Sequence, residues 1–226
     1  MTALFFDLDG TLVDVRDRHY CVYSLACEDA GMTPIGANDY WRRCRRGAST
    51  FNVISPEDTA QADAFRRRWL ESIEQPEFVL RDRLFPGVEE SLRQLAEAGC
   101  QLVLATLRRN RTSLMLQMES LGLAPWFVQV LSPMEAADND KAALIARCGY
   151  DAGDVVIGDS ESDVAAAKSL GIASVCVTTG VRSPAYLRGL TPTHLVASVR
   201  ALPAFLAEAD AGLSRRSSSL SRALSG

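Results

Sequence analysis

The sequence predicts a doubly wound α/β core of parallel strands interrupted by an inserted α-helical cap, and three observations predict it. Short apolar runs recur along the chain at lengths suited to strands covered on both faces. Helical patterns alternate with them and stop at glycines. One long interval near the N-terminus keeps the helical pattern and shows no convincing strand.

Taken in order, Ala3 to Phe6 forms the first strand and delivers the acidic run that begins at Asp7. Residues 15–84 then make up the cap, with helices at Asp17 to Ala30 before Gly31, Asn38 to Arg46 before Gly47, and Pro56 to Glu74 before Pro76. Phe85-Pro86-Gly87 returns the chain to the core, which comprises residues 1–14 and 85–210. There, strands at Gln101 to Ala105, Val128 to Leu131, Val155 to Gly158 and Ser174 to Val177 alternate with helices. These helices run from Val88 to Ala98, Ser113 to Leu121 and Lys141 to Cys148, ahead of Gly99, Gly122 and Gly149. His194 begins an edge strand with Leu195 and Val196 and receives no further role. Residues 211–226, rich in serine with scattered arginines, have the composition of a disordered tail.

The chemistry concentrates at Asp7-Leu8-Asp9-Gly10-Thr11. Residues i and i+2 of an extended chain point the same way, so Asp7 and Asp9 can converge if the strand geometry continues, and Gly10 then lets the chain turn. An aspartate can attack phosphorus and carry the group as an acyl phosphate, which gives Asp7 the role of nucleophile. A second carboxyl group can protonate the departing alcohol and later deprotonate water, which suits Asp9. Two anions facing an anionic phosphate call for a hard, oxygen-seeking cation, so magnesium (Mg2+) is expected.

The first of these segments resembles the opening motif of the haloacid dehalogenase-like hydrolases, most of them magnesium-dependent phosphatases with a Rossmann-like core. Leu102 to Thr106 resembles the second motif, Lys141 is placed like the third, and Gly158-Asp159-Ser160-Glu161-Ser162-Asp163 resembles the acidic fourth. The resemblance implies that Thr106 binds phosphate, and that Asp7, Asp159 and the backbone carbonyl of Asp9 hold the metal with Asp163 close behind. It also implies a helical cap, which would close over a small substrate and exclude water.

Lys141 stands out because Lys141 and Lys168 are the only lysines among 24 basic residues. It follows Asn139 and Asp140 at a helix start, where a cation is unfavourable unless an anion is bound, and a phosphate would resolve the conflict. Ser160 and Asp163 also fit a capping box, so Asp163 has a structural reading beside the functional one. Asp14 is either a hinge residue or a helix cap. His19 resembles a histidine of β-phosphoglucomutases and some sugar phosphatases, against the plainer reading of a surface histidine. Arg42, Arg43, Arg45 and Arg46 read first as a solvated face. Of the four, Arg46 adjoins Gly47 and is the substrate-binding candidate, while Arg108 and Arg109 follow Thr106 closely enough to touch substrate.

With 226 residues and a net charge of −4, the chain suits one core with a modest insertion and gives no sign of nucleic-acid binding. Six cysteines without a CxxC pair, and no signal peptide or membrane span at the N-terminus, make the cytoplasm the default compartment. The expected partner is a small phosphorylated metabolite, and no oligomeric state is assigned. The leading function is a phosphatase in the manner of phosphoglycolate phosphatase-like enzymes. The alternatives are a phosphomutase, towards which His19 leans, and a silent sensor of a phosphometabolite. The GDxxxD form from Gly158 to Asp163 leans back to the phosphatase.

Overall fold

The computed structural model describes residues 2–134 and 140–208, so Asn139 and the serine-rich tail lie outside the described residues. In chain order the elements are β1 (Ala3–Phe6), β2 (Val13–Asp14), α1 (Arg16–Asp29), α2 (Ala37–Arg45), α3 (Thr59–Ser72), α4 (Pro76–Val79) and β3 (Arg83–Leu84). There follow α5 (Val88–Glu97), β4 (Gln101–Ala105), α6 (Arg111–Ser120), β5 (Gln129–Leu131), α7 (Lys141–Cys148) and β6 (Val155–Gly158). The last elements are α8 (Glu161–Leu170), β7 (Ala173–Val177), α9 (Pro184–Gly189) and β8 (His194–Val196).

Six parallel strands form one sheet in the order β5-β4-β1-β6-β7-β8. Its strands read as continuous apolar runs because both faces are covered. Leu4 and Phe6 enter a core with Leu92, Leu104 and Leu114, while Phe5, between them, packs on the other face with Val103, Ile145 and Val156. Fully burying a side chain of this size contributes roughly 1.5–3 kcal/mol, so three such residues in a row anchor β1 firmly. That anchoring fixes Asp7, whose N–H continues the ladder by donating to the Ile157 carbonyl at 2.8 Å.

Three sequence expectations need correction. The interval before Phe85 does contain strand, because Val13 and Asp14 pair antiparallel with Leu84 and Arg83 as a short ribbon. The long helix expected from Pro56 to Glu74 is confined to α3, with α4 a separate turn that starts at Pro76. Asp58 caps α3 by accepting from the Gln61 N–H at 2.8 Å, which sets the later start. Third, the chain does not stay extended past Asp7: Leu12 and Val13 both return their N–H groups to the Leu8 carbonyl, closing a turn. Asp14 is not the cap of α1, a position held by Val15; it pairs with Arg83 in the ribbon, and its carboxylate accepts from the Arg16 N–H at 3.0 Å just ahead of the helix.

The helices between β2 and β3 bury a core of their own around Val22, Tyr23, Tyr40, Phe65 and Trp69, with Trp41 and Val181 packed against both this core and the sheet core. Reciprocal arginines clasp this segment to the loop after β7. Arg45 donates to the carbonyls of Thr178 and Gly180, and Arg182 donates to those of Cys44 and Ala48 while pairing with Glu161. No helix among the described residues is long and apolar enough to cross a membrane.

Candidate active site

β1, β4 and β6 are neighbours in the sheet, so their carboxyl ends bring Asp7, Thr106 and Asp159 to one edge, where open α/β sheets bind ligands. A cavity of about 270 Å³ opens there, lined by Asp7, Asp9, Thr106, Arg18, His19 and Arg108 together with residues from the helical segment.

Asp7 is one of three buried carboxylates that lie close together. Asp7, Asp159 and Asp163 each offer an oxygen within 4.8 Å of the others, and Lys141 is the cation paired with them, 2.9 Å from Asp7 and hydrogen-bonded to Asp163. The anions that settle a lysine at the start of α7 are therefore protein carboxylates, a solution the sequence reading assigned to phosphate. Burial pushes Asp7 up to about 7, with Lys141 pulling it back and Asp163 adding to the rise. Burial also holds Asp159 well above the usual carboxylate range, reinforced by Asp7 and Asp163. Against the burial that would lower it, Asp163 and Asp7 keep the Lys141 ammonium charged.

Asp159 is wedged between two glycines. A Cβ on Gly10, which has φ of +80°, would stand 2.3 Å from its Oδ2, and a Cβ on Gly180 would stand 2.1 Å from the same atom. Thr11 Oγ1 donates to its Oδ1 at 3.2 Å and the Val181 N–H to its Oδ2 at 2.5 Å. Asp163 is engaged differently. Its Oδ2 accepts from the Asp159 N–H, the Ser160 N–H and the Ser160 hydroxyl, and its Oδ1 takes Lys141. Asp163 thus carries four such bonds, against two on Asp159. An all-oxygen donor set with two carboxylates in excess of its one ammonium fits a hard divalent ion.

Asp9 belongs to a second network. Asp9 is gripped by Arg108, whose Nε donates at 3.0 Å, and its Oδ1 lies 2.8 Å from Arg18 Nη2. Both arginines also reach Asp82, at 3.1 Å from Arg18 and 3.2 Å from Arg108, and Gln117 donates to the same carboxylate. Despite burial, Arg108 and Arg18 hold the Asp9 carboxyl far below the usual range. Burial pushes Asp82 up to about 6 against the pull of Arg18.

Among the residues singled out in sequence, Asp7, Asp9, Thr106 and His19 line the cavity, while Lys141, Asp159 and Asp163 gather about Asp7. His19 is half-buried with its ring edge-to-face against Trp69, 5.5 Å between centroids, and burial lowers it to about 3, so the imidazole is neutral. Arg46 is exposed and is not among the lining residues; its neighbour Arg45 makes the clasp instead. Thr106 is buried, and its hydroxyl accepts from the Arg108 N–H at 3.4 Å. Sequence reasoning missed Arg18, Glu74 and Asp82. Glu74 lines the cavity and accepts from the N–H groups of Arg109 and Asn110, capping the approach to α6 across the boundary between helical segment and core. The alternation of α1 could have exposed Arg18, a fully buried arginine on an otherwise apolar stripe with Val22 and Ala26.

Comparison with known proteins bears on this geometry. A haloacid dehalogenase-like hydrolase family model matches residues 1–171, and a second model of the same hydrolase type matches residues 142–202. Over 190 residues the chain is 30% identical to a phosphoglycolate phosphatase of Caulobacter vibrioides, a match that spans 79% of each protein. It is 29% identical over 204 residues to a phosphoglycolate phosphatase of Synechococcus elongatus, spanning 87% of this chain and 92% of that one. The fold is shared with a haloacid dehalogenase-like hydrolase of Streptococcus pneumoniae at a TM-score of 0.74 and 20% identity, covering 91% of this chain and 98% of the other. With a family match over well more than half its length, the chain belongs to the haloacid dehalogenase-like hydrolases, as a phosphatase of that family.

Proposed function

We propose that the protein hydrolyses a small phosphorylated metabolite through an aspartyl phosphate on Asp7, with Mg2+ as its cofactor and phosphoglycolate the first substrate to try. The observation that carries this reading is the charge imbalance at the end of β1, where three buried carboxylates face the one ammonium of Lys141. Asp7, Asp159 and the Asp9 carbonyl are the proposed ligands, with Asp163 holding Lys141 and the following turn in place. When bound, magnesium would neutralise and orient phosphoryl oxygens. The names of the curated relatives support the substrate.

In this reading an Asp7 carboxylate oxygen forms a bond to phosphorus as the bond to the leaving oxygen breaks, and water then attacks the same phosphorus to release phosphate and restore Asp7. Lys141 and the Thr106 hydroxyl hold phosphoryl oxygens. Asp9 gives a proton to the leaving oxygen and takes one from water. Held by two arginines it is a carboxylate, ready for the second task, and the first requires it to come away from them. Residues 15–84 act as the cap that keeps water out, and Glu74 and His19 supply part of its wall. A cytoplasmic setting belongs to the same proposal, supported by the six cysteines of the sequence and their lack of a CxxC pair.

The test is phosphate release from a panel of small phosphomonoesters with magnesium, comparing wild type with Asp7→Asn. Release by wild type alone bears the reading out. His19 in the cavity wall favours transfer between sugar hydroxyls as the second reading, and isomerisation of a sugar phosphate without phosphate release would select it.

A further inference from the structure

We propose that Arg18 and Arg108 form an anion subsite for the substrate's leaving group, taking a substrate carboxylate in the place now held by the carboxylate of Asp9. This rests on the phosphomonoester reading above and adds which residues choose the substrate. Both arginines line the cavity that Asp7 and Thr106 border, and their side chains are only 1% and 4% exposed. Their donors are not used up. Among the described residues, Arg108 Nη1 is buried without a hydrogen-bond partner, and Arg18 Nη2 meets Asp9 as an ion pair that lacks hydrogen-bond geometry. A buried donor left unpaired is costly, and an incoming planar acceptor would recover that cost.

The local charges say how such an acceptor would be accommodated. Two guanidiniums are balanced by Asp9 and Asp82, so an added carboxylate must displace one of the two. Asp82 is fixed, with a side chain 0% exposed and bonds from Gln117 at 2.9 Å and Arg18 at 3.1 Å. Asp9 is the movable partner, on a turn and with its side chain 27% exposed. Glu74, the remaining carboxylate of the wall, is turned to the backbone N–H groups of Arg109 and Asn110. A planar fork of guanidinium donors matches a carboxylate in geometry as well as charge. Exchange at these arginines would also free Asp9 for the ester oxygen, so one step of recognition would serve both selection and positioning.

The experiment compares kcat/KM for phosphoglycolate and for ethyl phosphate, a neutral leaving group of similar size, in wild type, Arg108→Gln, Arg108→Lys and Arg18→Gln. A ratio taken on one preparation does not depend on how much of that preparation is folded. Wild type should favour phosphoglycolate on the order of 100-fold, as expected for charge-assisted hydrogen bonds. Arg108→Gln and Arg18→Gln should bring the ratio to roughly 10 or less, with Arg108→Lys between, because it keeps the charge and loses the fork. A wild-type ratio near one, or a ratio unchanged in both glutamine variants, overturns the subsite. Calorimetric binding of the same two compounds to Asp7→Asn, with magnesium, separates this from the phosphatase reading. Preferential binding of phosphoglycolate, lost on adding Arg108→Gln, upholds the subsite even if wild type releases no phosphate, whereas equal binding of both esters rejects it even if hydrolysis proceeds. A third compound, ethylene glycol bisphosphate, which carries a second phosphate at the end where phosphoglycolate carries its carboxylate, distinguishes the anion's source. Tighter binding of that bisphosphate than of phosphoglycolate would also overturn the assignment to a carboxylate.

Discussion

Two clusters of charge border one cavity, the first through Asp7 and the second through Asp9, Arg18 and Arg108, and they differ in balance. At the ends of β1 and β6, three carboxylates meet one lysine. In the second cluster, two carboxylates meet two arginines. Asp7 and Asp9, two residues apart, consequently part company: burial raises the first to about 7, and Arg108 with Arg18 holds the second far below the usual range despite its burial. The difference teaches that burial alone does not set a carboxylate's state; the surrounding charges of both signs decide how far burial prevails, as Asp82 shows, raised to about 6 beside the same two arginines and Asp9. The first cluster holds more carboxylate than its one ammonium balances, and the second is even.

The sharpest way to break this contrast is Asp7→Asn. Phosphate release should fall on the order of 10⁴-fold or more, as when a nucleophile is removed, and retention of more than a tenth of the wild-type rate would dismiss Asp7 from that role. The same variant should melt at a higher temperature than metal-free wild type, because it removes a charge from the cluster with excess carboxylate. The pH dependence follows. In the metal-free protein Asp7 is raised from 3.8 to about 7, so the folded state binds its proton more tightly than the unfolded chain does. Its contribution is present below about pH 4 and is lost as pH rises towards 7. Melting of chelated wild type should therefore decline over that window more steeply than melting of Asp7→Asn, and parallel profiles would contradict the charge imbalance.

Magnesium should sharpen the same contrast from the other side. Excess chelator should stop turnover, and added magnesium should raise the melting temperature of wild type by linkage, with a smaller shift in Asp159→Asn. Equal shifts in the two proteins, followed by differential scanning fluorimetry at several magnesium concentrations, would place the ion elsewhere.

The two clusters were unequally legible in sequence. Asp7, Thr106, Lys141 and Asp159 each sit at a strand end or helix start, so an apolar run with its boundary locates them. Asp9 was legible as a residue and not as an environment, because its partner Arg108 is 99 positions away. Arg18 and Asp82, 64 positions apart, meet only after α1 and the return of the chain to β3 are in place. The arginine pattern in α2 was misleading for a related reason. Proximity to Gly47 recommended Arg46, whereas the curvature of the helix sends Arg45 to the Thr178 and Gly180 carbonyls and leaves Arg46 exposed.

That clasp gives a prediction of intermediate size, because Arg18 and Asp82 of the second cluster come from the segment it holds. Arg182→Ala removes a paired Glu161 and two carbonyl acceptors. The loss should cost about 2 kcal/mol of stability, read from the denaturant midpoint, and raise KM more than it lowers kcat. A change in kcat with KM untouched would mean that the clasp serves the chemistry and not the closure.

The smallest effect should come from His19, which lines the cavity and carries the charge of neither cluster. Burial, with the neighbouring Arg18 charge adding to it, lowers its pKa from 6.5 to about 3. The unfolded chain therefore binds the proton more readily than the native one, so the stability attached to a neutral His19 is present above about pH 6.5 and is lost as pH falls towards 3. His19→Asn should flatten the acid side of a stability profile while changing phosphate release near neutral pH by less than about five-fold. The mutase reading demands the reverse, since a histidine that serves transfer between hydroxyls would leave a large kinetic deficit at neutral pH and little mark on acid stability. The acid slope and the neutral rate, measured on one variant, thus separate a wall residue from a working one.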